Sequence, residues 1–300
     1  VSGLDLLAEA KARVEPALAE VLRRVAVARP EDGPDGAHAV PGRLAEAMAY
    51  AVLSEGKRLR PALVLGAAHA VGAGLDDVLP AACAVEMIHA YSLVHDDLPI
   101  MDDDDERRGR PSTHVKFDEA TALLVGDALL TEALGLVADG APLGSGRPVP
   151  AGARAAATVA LARAAGAAGM VGGQADDLAA ELAASAAGGA VQANLPQVVS
   201  IHRRKTGRLI QAAATMGALY GGGSPEAVAA LGAFGAGVGL AFQLVDDALD
   251  GDGVARLTSP DDARARGAAE TEAALAALGM FGARGEPLVA LVRRMAERRK

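Results

Sequence analysis

The spacing of apolar residues limits the possible folds more than any other feature. They recur at steps of three and four: Leu209, Ala213, Met216 and Tyr220 share one helical face, and Ala81, Val85, Ile88 and Ser92 another. No alternating stretch of strand length competes, and alanine and leucine, both strong helix formers, dominate. The pattern predicts an all-α fold. Clusters of Gly and Pro at 30–42, 140–152, 185–196 and 221–225 mark the connections. With no fixed repeat and no charged linker, residues 1–300 read as a single domain.

Charge and cysteine content exclude several classes. The 29 basic and 38 acidic side chains give a net charge of −9, the opposite of a nucleic-acid binder, so no nucleic-acid partner is expected. The lone Cys83 rules out an internal disulfide and a cysteine zinc cluster; in its apolar surroundings it reads as a small buried hydrophobe in a reducing, cytoplasmic compartment. Residues 1–25 are amphipathic with mixed charge, unlike a secretion signal. The longest uncharged run, Ala227 to Val245, is rich in small residues and leads into a doubled aspartate; it reads as a buried helix, not a membrane span.

Two acidic clusters carry the strongest chemical signal. One runs from His95 through Asp96, Asp97 and Pro99 to Asp102–Asp105; the other contains Gln243, Asp246, Asp247 and Asp250. Each ends an apolar helical run. Asp246 and Asp250, four apart, point together on a helix. Asp96 and Asp102, six apart, would do so only if the chain loops out two residues, and Pro99 is placed to break the helix there. Packed carboxylates at helix C-termini repel each other and oppose the helix dipole unless cations lie among them, and all-oxygen ligands favour Mg²⁺. Asp103–Asp105 also read as solvated surface.

The basic charge is concentrated in segments 54–61, 106–111 and 201–207, with arginine and lysine beside glycine as diphosphate binding requires. Each segment alone is as well read as a solvated face; combined with two aspartate clusters they point to metal-bound and metal-free diphosphates side by side.

These segments, GKRLRP (56–61), EMIHAYSLVHDDLPIMDDDDERRGRPSTH (86–114), GMVGGQADDL (169–178), RRKTG (203–207) and GLAFQLVDDALD (239–250), resemble in order and texture the trans-isoprenyl diphosphate synthase (polyprenyl synthetase) family, closest to its bacterial farnesyl diphosphate synthase branch. The resemblance implies a homodimer whose subunits each fold as ten or more helices around a deep central cavity. It implies three Mg²⁺ ions held by Asp96, Asp102 and Asp246, supported by Asp97 and Asp250. Lys57, Arg60, His89 and Arg108 match an isopentenyl diphosphate pocket. Arg107, Lys205, Thr206 and Gln243 match groups around an allylic diphosphate, and Gln174 would lie near the reacting tail. The implied reaction ionises the allylic diphosphate and couples the cation to isopentenyl diphosphate, with Thr206 and Gln243 oxygens as stabilising dipoles.

Tyr91 lies about 7.5 Å down the helix from Asp96 and would block a growing tail, which by resemblance favours farnesyl diphosphate. Ser92 leaves room that keeps geranylgeranyl diphosphate open. After Asp250 the chain departs from the family: GDGVARLTSPDDARARG (251–267) stands where an LGK segment and a further lysine are usual, with Arg256 the available substitute. That departure leaves a non-catalytic subunit of a heteromeric synthase as an alternative. A class I terpene cyclase is a poorer match, because cyclases guide cations with aromatic walls and this chain has no Trp, three Tyr and four Phe.

Overall fold

The computed structural model describes residues 4–27, 40–186, 188 and 193–296. Residues 30–39 of the first expected connection, and 187 and 189–192 of the third, lie outside the described residues. Among the described residues the regular structure is helical except for one short hairpin. The first half contains α1 (Leu6–Ala26), α2 (Gly42–Val52), α3 (Leu59–Ala70), α4 (Leu79–Asp96), α5 (Thr113–Lys116), α6 (Glu119–Asp139) and α7 (Ala151–Ala165). The second contains α8 (Met170–Ala186), α9 (Leu195–His202), α10 (Arg208–Tyr220), α11 (Pro225–Asp250), α12 (Gly253–Leu257), α13 (Pro260–Ala276) and α14 (Glu286–Ala296).

Local chemistry sets the helix ends. Side chains of Asp5, Asp118, Ser224 and Ser259 accept hydrogen bonds from first-turn N–H groups, and Asn194 forms a capping box with Gln197. Pro225 opens α11 at a position where a missing N–H costs nothing, and Gly140 and Gly251 end α6 and α11 in left-handed conformation. The expected connections at 140–152 and 221–225 fall between α6 and α7 and between α10 and α11.

Helix α4 is the central element. From Leu79 to Ile88 every residue is buried, and the helix packs on α3, α6 and α10. The expected faces hold: Leu209, Ala213, Met216 and Tyr220 are all buried on α10, and Ala81, Val85 and Ile88 on α4. Cys83 is fully buried and burial pushes its thiol pKa up, as its reading as a small hydrophobe requires. Helix α11 lies between α10 and α13 and brings the second aspartate cluster to the same end of the assembly as the Arg203–Gly207 turn.

Among the described residues four helical stretches, Asp76–Asp96, Glu119–Asp139, Ala151–Ala186 and Pro225–Asp250, are long and apolar enough to cross a membrane by length and composition. In the first, 72% of the apolar window is buried inside the protein; in the last, 50%.

Candidate active site

Helix α4 stops at Asp96, before Pro99, and the chain turns back on itself. The Asp102 N–H donates to the Asp96 carbonyl at 2.8 Å, the bond that residue i+4 would make in an unbroken helix. Two residues have looped out, as the six-residue spacing required. Asp103, at φ 55°, completes the turn in the left-handed region. Asp96 faces a cavity, and its carboxyl is pushed up to about 6 by burial, with Asp102 and Asp97 adding repulsion and Lys205 opposing. Asp97 turns the other way: it is buried, raised by burial, and bonded by Arg107, which also reaches Asp104 at 2.7 Å. The aspartate pair therefore splits into one cavity-facing and one arginine-held carboxylate.

A two-residue hairpin, Glu106–Arg107 against Arg110–Pro111, follows. Its turn residues, Arg108 (φ 57°) and Gly109 (φ 75°), are both left-handed, as a tight hairpin turn demands. The turn sends the Arg108 guanidinium across to the Glu55 carbonyl at 2.7 Å. There Arg108 joins Lys57, Arg60 and His89 around a cavity of about 760 Å³. Arg58, one residue from Lys57, is consumed structurally by a buried 2.7 Å ion pair with Glu86. Arg60 has no such partner. Its Nε is buried without an acceptor, and burial lowers its pKa to about 10. His89 is held well below its usual pKa by burial and by the arginines around it, so it stands neutral in this basic field.

A second cavity, of about 430 Å³, adjoins the first at Arg60 and His89. Tyr91, Asp96, Gln174, Lys205 and Thr206 line it. Tyr91 is 5% exposed, its hydroxyl has no partner, and its pKa rises to about 12 through burial and the charge of Asp96. Gln174 Oε1 is likewise buried without a donor.

Lys205 and Thr206 sit on a five-residue π-helical turn, Arg203–Gly207, between α9 and α10. Such widened turns are frequent at functional sites. Glycines on two neighbouring helices allow the turn to nest. A Cβ on Gly173 of α8 would meet the Lys205 nitrogen at 2.2 Å, and one on Gly239 of α11 would meet Gly207 Cα at 2.6 Å. Contact is then close enough for Thr206 to donate to Gln243 Oε1 at 3.0 Å and Lys205 Nζ to Asp177 at 2.6 Å. Burial pushes Lys205 down, but Asp177, Asp96 and Asp102 together hold its pKa up.

In the second cluster, Asp247 is buried and structural: it accepts from His202 at 2.7 Å and from the Val254 N–H at 2.8 Å. The segment after Asp250 is thereby folded into α12 and tied to α11. Asp250 is exposed at the end of α11. Asp246 lies one turn beyond Gln243 and borders a narrow crevice with Phe242, Val238 and Thr271, outside the two larger cavities. Phe242 reaches the basic cavity as well. Glu181 of α8 has its pKa raised mainly by burial and next by Asp177, with Lys205 opposing and Asp102 and Asp252 adding repulsion. Arg256 is paired with Asp252 at 4.0 Å.

Among the described residues no three His, Cys, Asp or Glu groups stand close enough to chelate an ion alone. The donor set nevertheless suits Mg²⁺, which takes one or two carboxylates and completes its shell with water and phosphate oxygens. Asp96, raised by burial and flanked by Asp97 and Asp102, is the kind of carboxylate such a cation would stabilise. Sequence reasoning missed Asp176 and Asp177, which pair with Arg204 and Lys205. The signal was present: two consecutive acids in GMVGGQADDL face two consecutive bases in RRKTG.

Residues 41–257 match the family model for polyprenyl synthetase. The chain is 42% identical over 249 residues to farnesyl diphosphate synthase of Geobacillus stearothermophilus, covering 83% of this chain and 75% of that protein. It is 44% identical over 212 residues to geranylgeranyl pyrophosphate synthase 7, chloroplastic, of Arabidopsis thaliana, covering 70% and 57%. The crystal structure of an FPP/GFPP synthase from Zymomonas mobilis in its apo form superposes with a TM-score of 0.80 at 33% identity, covering 97% of this chain and 99% of that one.

Proposed function

The chain belongs to the polyprenyl synthetase family, and from that premise we propose that it is a prenyltransferase coupling isopentenyl diphosphate head to tail with dimethylallyl or geranyl diphosphate to give farnesyl diphosphate. One observation carries the reading: a basic cavity and an acid-edged apolar cavity meet at Arg60 and His89. Two diphosphates of different demands would sit there with their hydrocarbon ends together.

Lys57, Arg60 and Arg108 take the isopentenyl diphosphate, with neutral His89 beside them. The buried, acceptor-less Arg60 Nε supplies a charge-assisted hydrogen bond that water cannot satisfy. Asp96, Asp102 and Asp246 would hold Mg²⁺, with three ions expected per site and Asp97 and Asp250 in support, once Asp246 is brought from its crevice toward the cavity that Asp96 lines; that metal would supply positive charge to the leaving diphosphate. Lys205 turns from Asp177 to the allylic diphosphate, and Arg107 fixes Asp97 beside it. The Thr206 and Gln243 oxygens hold dipoles toward the developing allylic cation, and the apolar walls keep water from it. Gln174, whose Oε1 has no donor, lies along the tail. The proton lost after coupling passes to the departed diphosphate.

Tyr91 forms the floor that stops elongation. A second reading, geranylgeranyl diphosphate as product, is favoured by Ser92, which lines the same cavity beside Tyr91. We read the chain as one domain acting as a cytoplasmic homodimer. Leu123 and Leu124, 48% and 56% exposed on α6, offer an apolar face to a second copy, and we read α11, 50% of whose apolar window is buried inside the protein, as a core helix instead of a membrane span. Incubating the purified protein alone with Mg²⁺, dimethylallyl diphosphate and labelled isopentenyl diphosphate tests the proposal. Elongation abolished by EDTA and restored by Mg²⁺ is expected. No elongation by the pure protein would overturn it in favour of a non-catalytic subunit.

A further inference from the structure

The π-helical turn has two sides. Lys205 and Thr206 face the apolar cavity of the active site, while Arg203, Arg204 and Arg208 line a separate cavity of about 480 Å³ between the turn, α11 and α13. We infer that this outer cavity binds a phosphate ester bearing a hydroxyl group.

The cavity is built for an oxyanion at one end. Three guanidinium groups stand against Asp176 and Glu270 in a protein whose net charge is −9. Arg204 bonds Asp176 and, at 3.4 Å, Ser200 through Nη2, yet its Nε is buried with no acceptor. A buried guanidinium N–H without an acceptor is an unfavourable arrangement, and an anion that draws Arg204 out of its pair with Asp176 would bring that N–H to an oxygen. Arg203 and Arg208 are exposed, and Arg208 is steadied by Gln211 at 3.0 Å. Forked donors of this kind match phosphoryl oxygens.

Glu270, on the wall supplied by α13, sets the other requirement. A carboxylate there repels a polyanion that fills the cavity and accepts a hydrogen bond from a hydroxyl. The ligand class is therefore a phosphate monoester or diester with a hydroxylated body. The same chemistry occurs free in solution and in glycerophospholipid headgroups. Occupancy reaches the active site through adjacent pairs: Arg204–Asp176 and Lys205–Asp177 both link the turn to α8. Drawing Arg204 toward a phosphate loosens the pair beside Lys205.

Calorimetric titration of the full chain with glycerol 3-phosphate, without Mg²⁺, tests the site. The Arg203→Gln/Arg208→Gln double variant should bind about tenfold more weakly or worse, while Arg60→Met, in the other cavity, should bind like wild type. Glu270→Gln keeps every arginine and should lose the preference for glycerol 3-phosphate over inorganic phosphate. Sedimentation with phosphatidylglycerol vesicles, present in wild type and lost in the double variant, would identify the headgroup as the source; binding of the soluble ester alone would identify the free ester. Equal affinity in wild type and double variant, or loss of binding in Arg60→Met, overturns the inference. Prenyl transfer by the double variant, measured separately, keeps that outcome independent of the proposed activity.

Discussion

Replacing Asp96 by Asn should stabilise the metal-free protein while abolishing its activity. In the folded chain the Asp96 carboxyl is raised from 3.8 to about 6, chiefly by burial and further by Asp102 and Asp97. Folding therefore takes up a proton between about pH 4 and 6. The penalty is absent below that window, grows as pH rises through it, and is complete above about pH 6. At roughly 1.4 kcal/mol per pH unit, a carboxylate so displaced costs the fold up to about 3 kcal/mol at neutral pH, and about 1–3 after solvent screening of a partly exposed group. Asn has the same shape and no charge, so it removes the repulsion without opening a cavity. Urea unfolding with EDTA present should show Asp96→Asn more stable than wild type at pH 7.5 by that amount, with the gain largely gone at pH 4. A variant that is less stable at pH 7.5, or equally stabilised at both pH values, would refute the electrostatic account.

Other expectations follow from the same geometry. Arg60→Met should raise KM for isopentenyl diphosphate about 10- to 100-fold, the loss of a charge-assisted hydrogen bond of roughly 1.5–3 kcal/mol, with less effect on the allylic substrate; steady-state kinetics decides. Tyr91→Ala should lengthen the product by at least one isoprene unit, and an unchanged chromatographic profile removes Tyr91 from the floor. Asp247→Asn should cost about 1–3 kcal/mol by weakening the bonds to His202 and Val254, and limited proteolysis should then cut near 251–257.

The parts legible in the sequence were those set by local rules. Helical periodicity on α4 and α10 gave the buried faces, and Pro99 with a six-residue spacing gave the turn that returns Asp102 to the Asp96 carbonyl. The resemblance named Lys57 and Arg60 and passed over Arg58, which the structure spends on Glu86. What stayed hidden depends on which side of a helix end a charge faces. Adjacent aspartates look equivalent in a string of letters, yet Asp96 points into a cavity and Asp97 into Arg107, because successive residues at the end of a helix diverge by about 100°. The same divergence separates Asp246 from Asp247.

The π-helical turn was hidden for a different reason: nothing in RRKTG demands it. An α-helical path through 203–207 would carry an N–H to C=O bond at every residue and needs no special amino acid. The widened turn persists because its neighbours approach it as backbone. Gly173 and Gly239 each leave room that a single methyl group would occupy, and the Lys205–Asp177 and Thr206–Gln243 bonds then fix the wider register. The determinants thus lie on α8 and α11, 28 to 37 residues away from their partners in the turn. The glycines of GMVGGQ and GLAFQ are contact surfaces, and the lysine they position has its pKa held up by Asp177, Asp96 and Asp102 together. Gly173→Ala should therefore lower kcat more than stability: the added carbon meets the backbone at Lys205, not a core side chain, and the turn can relieve the clash by retreating from the cavity. A variant that loses stability while turning over normally would place the role of Gly173 in packing alone.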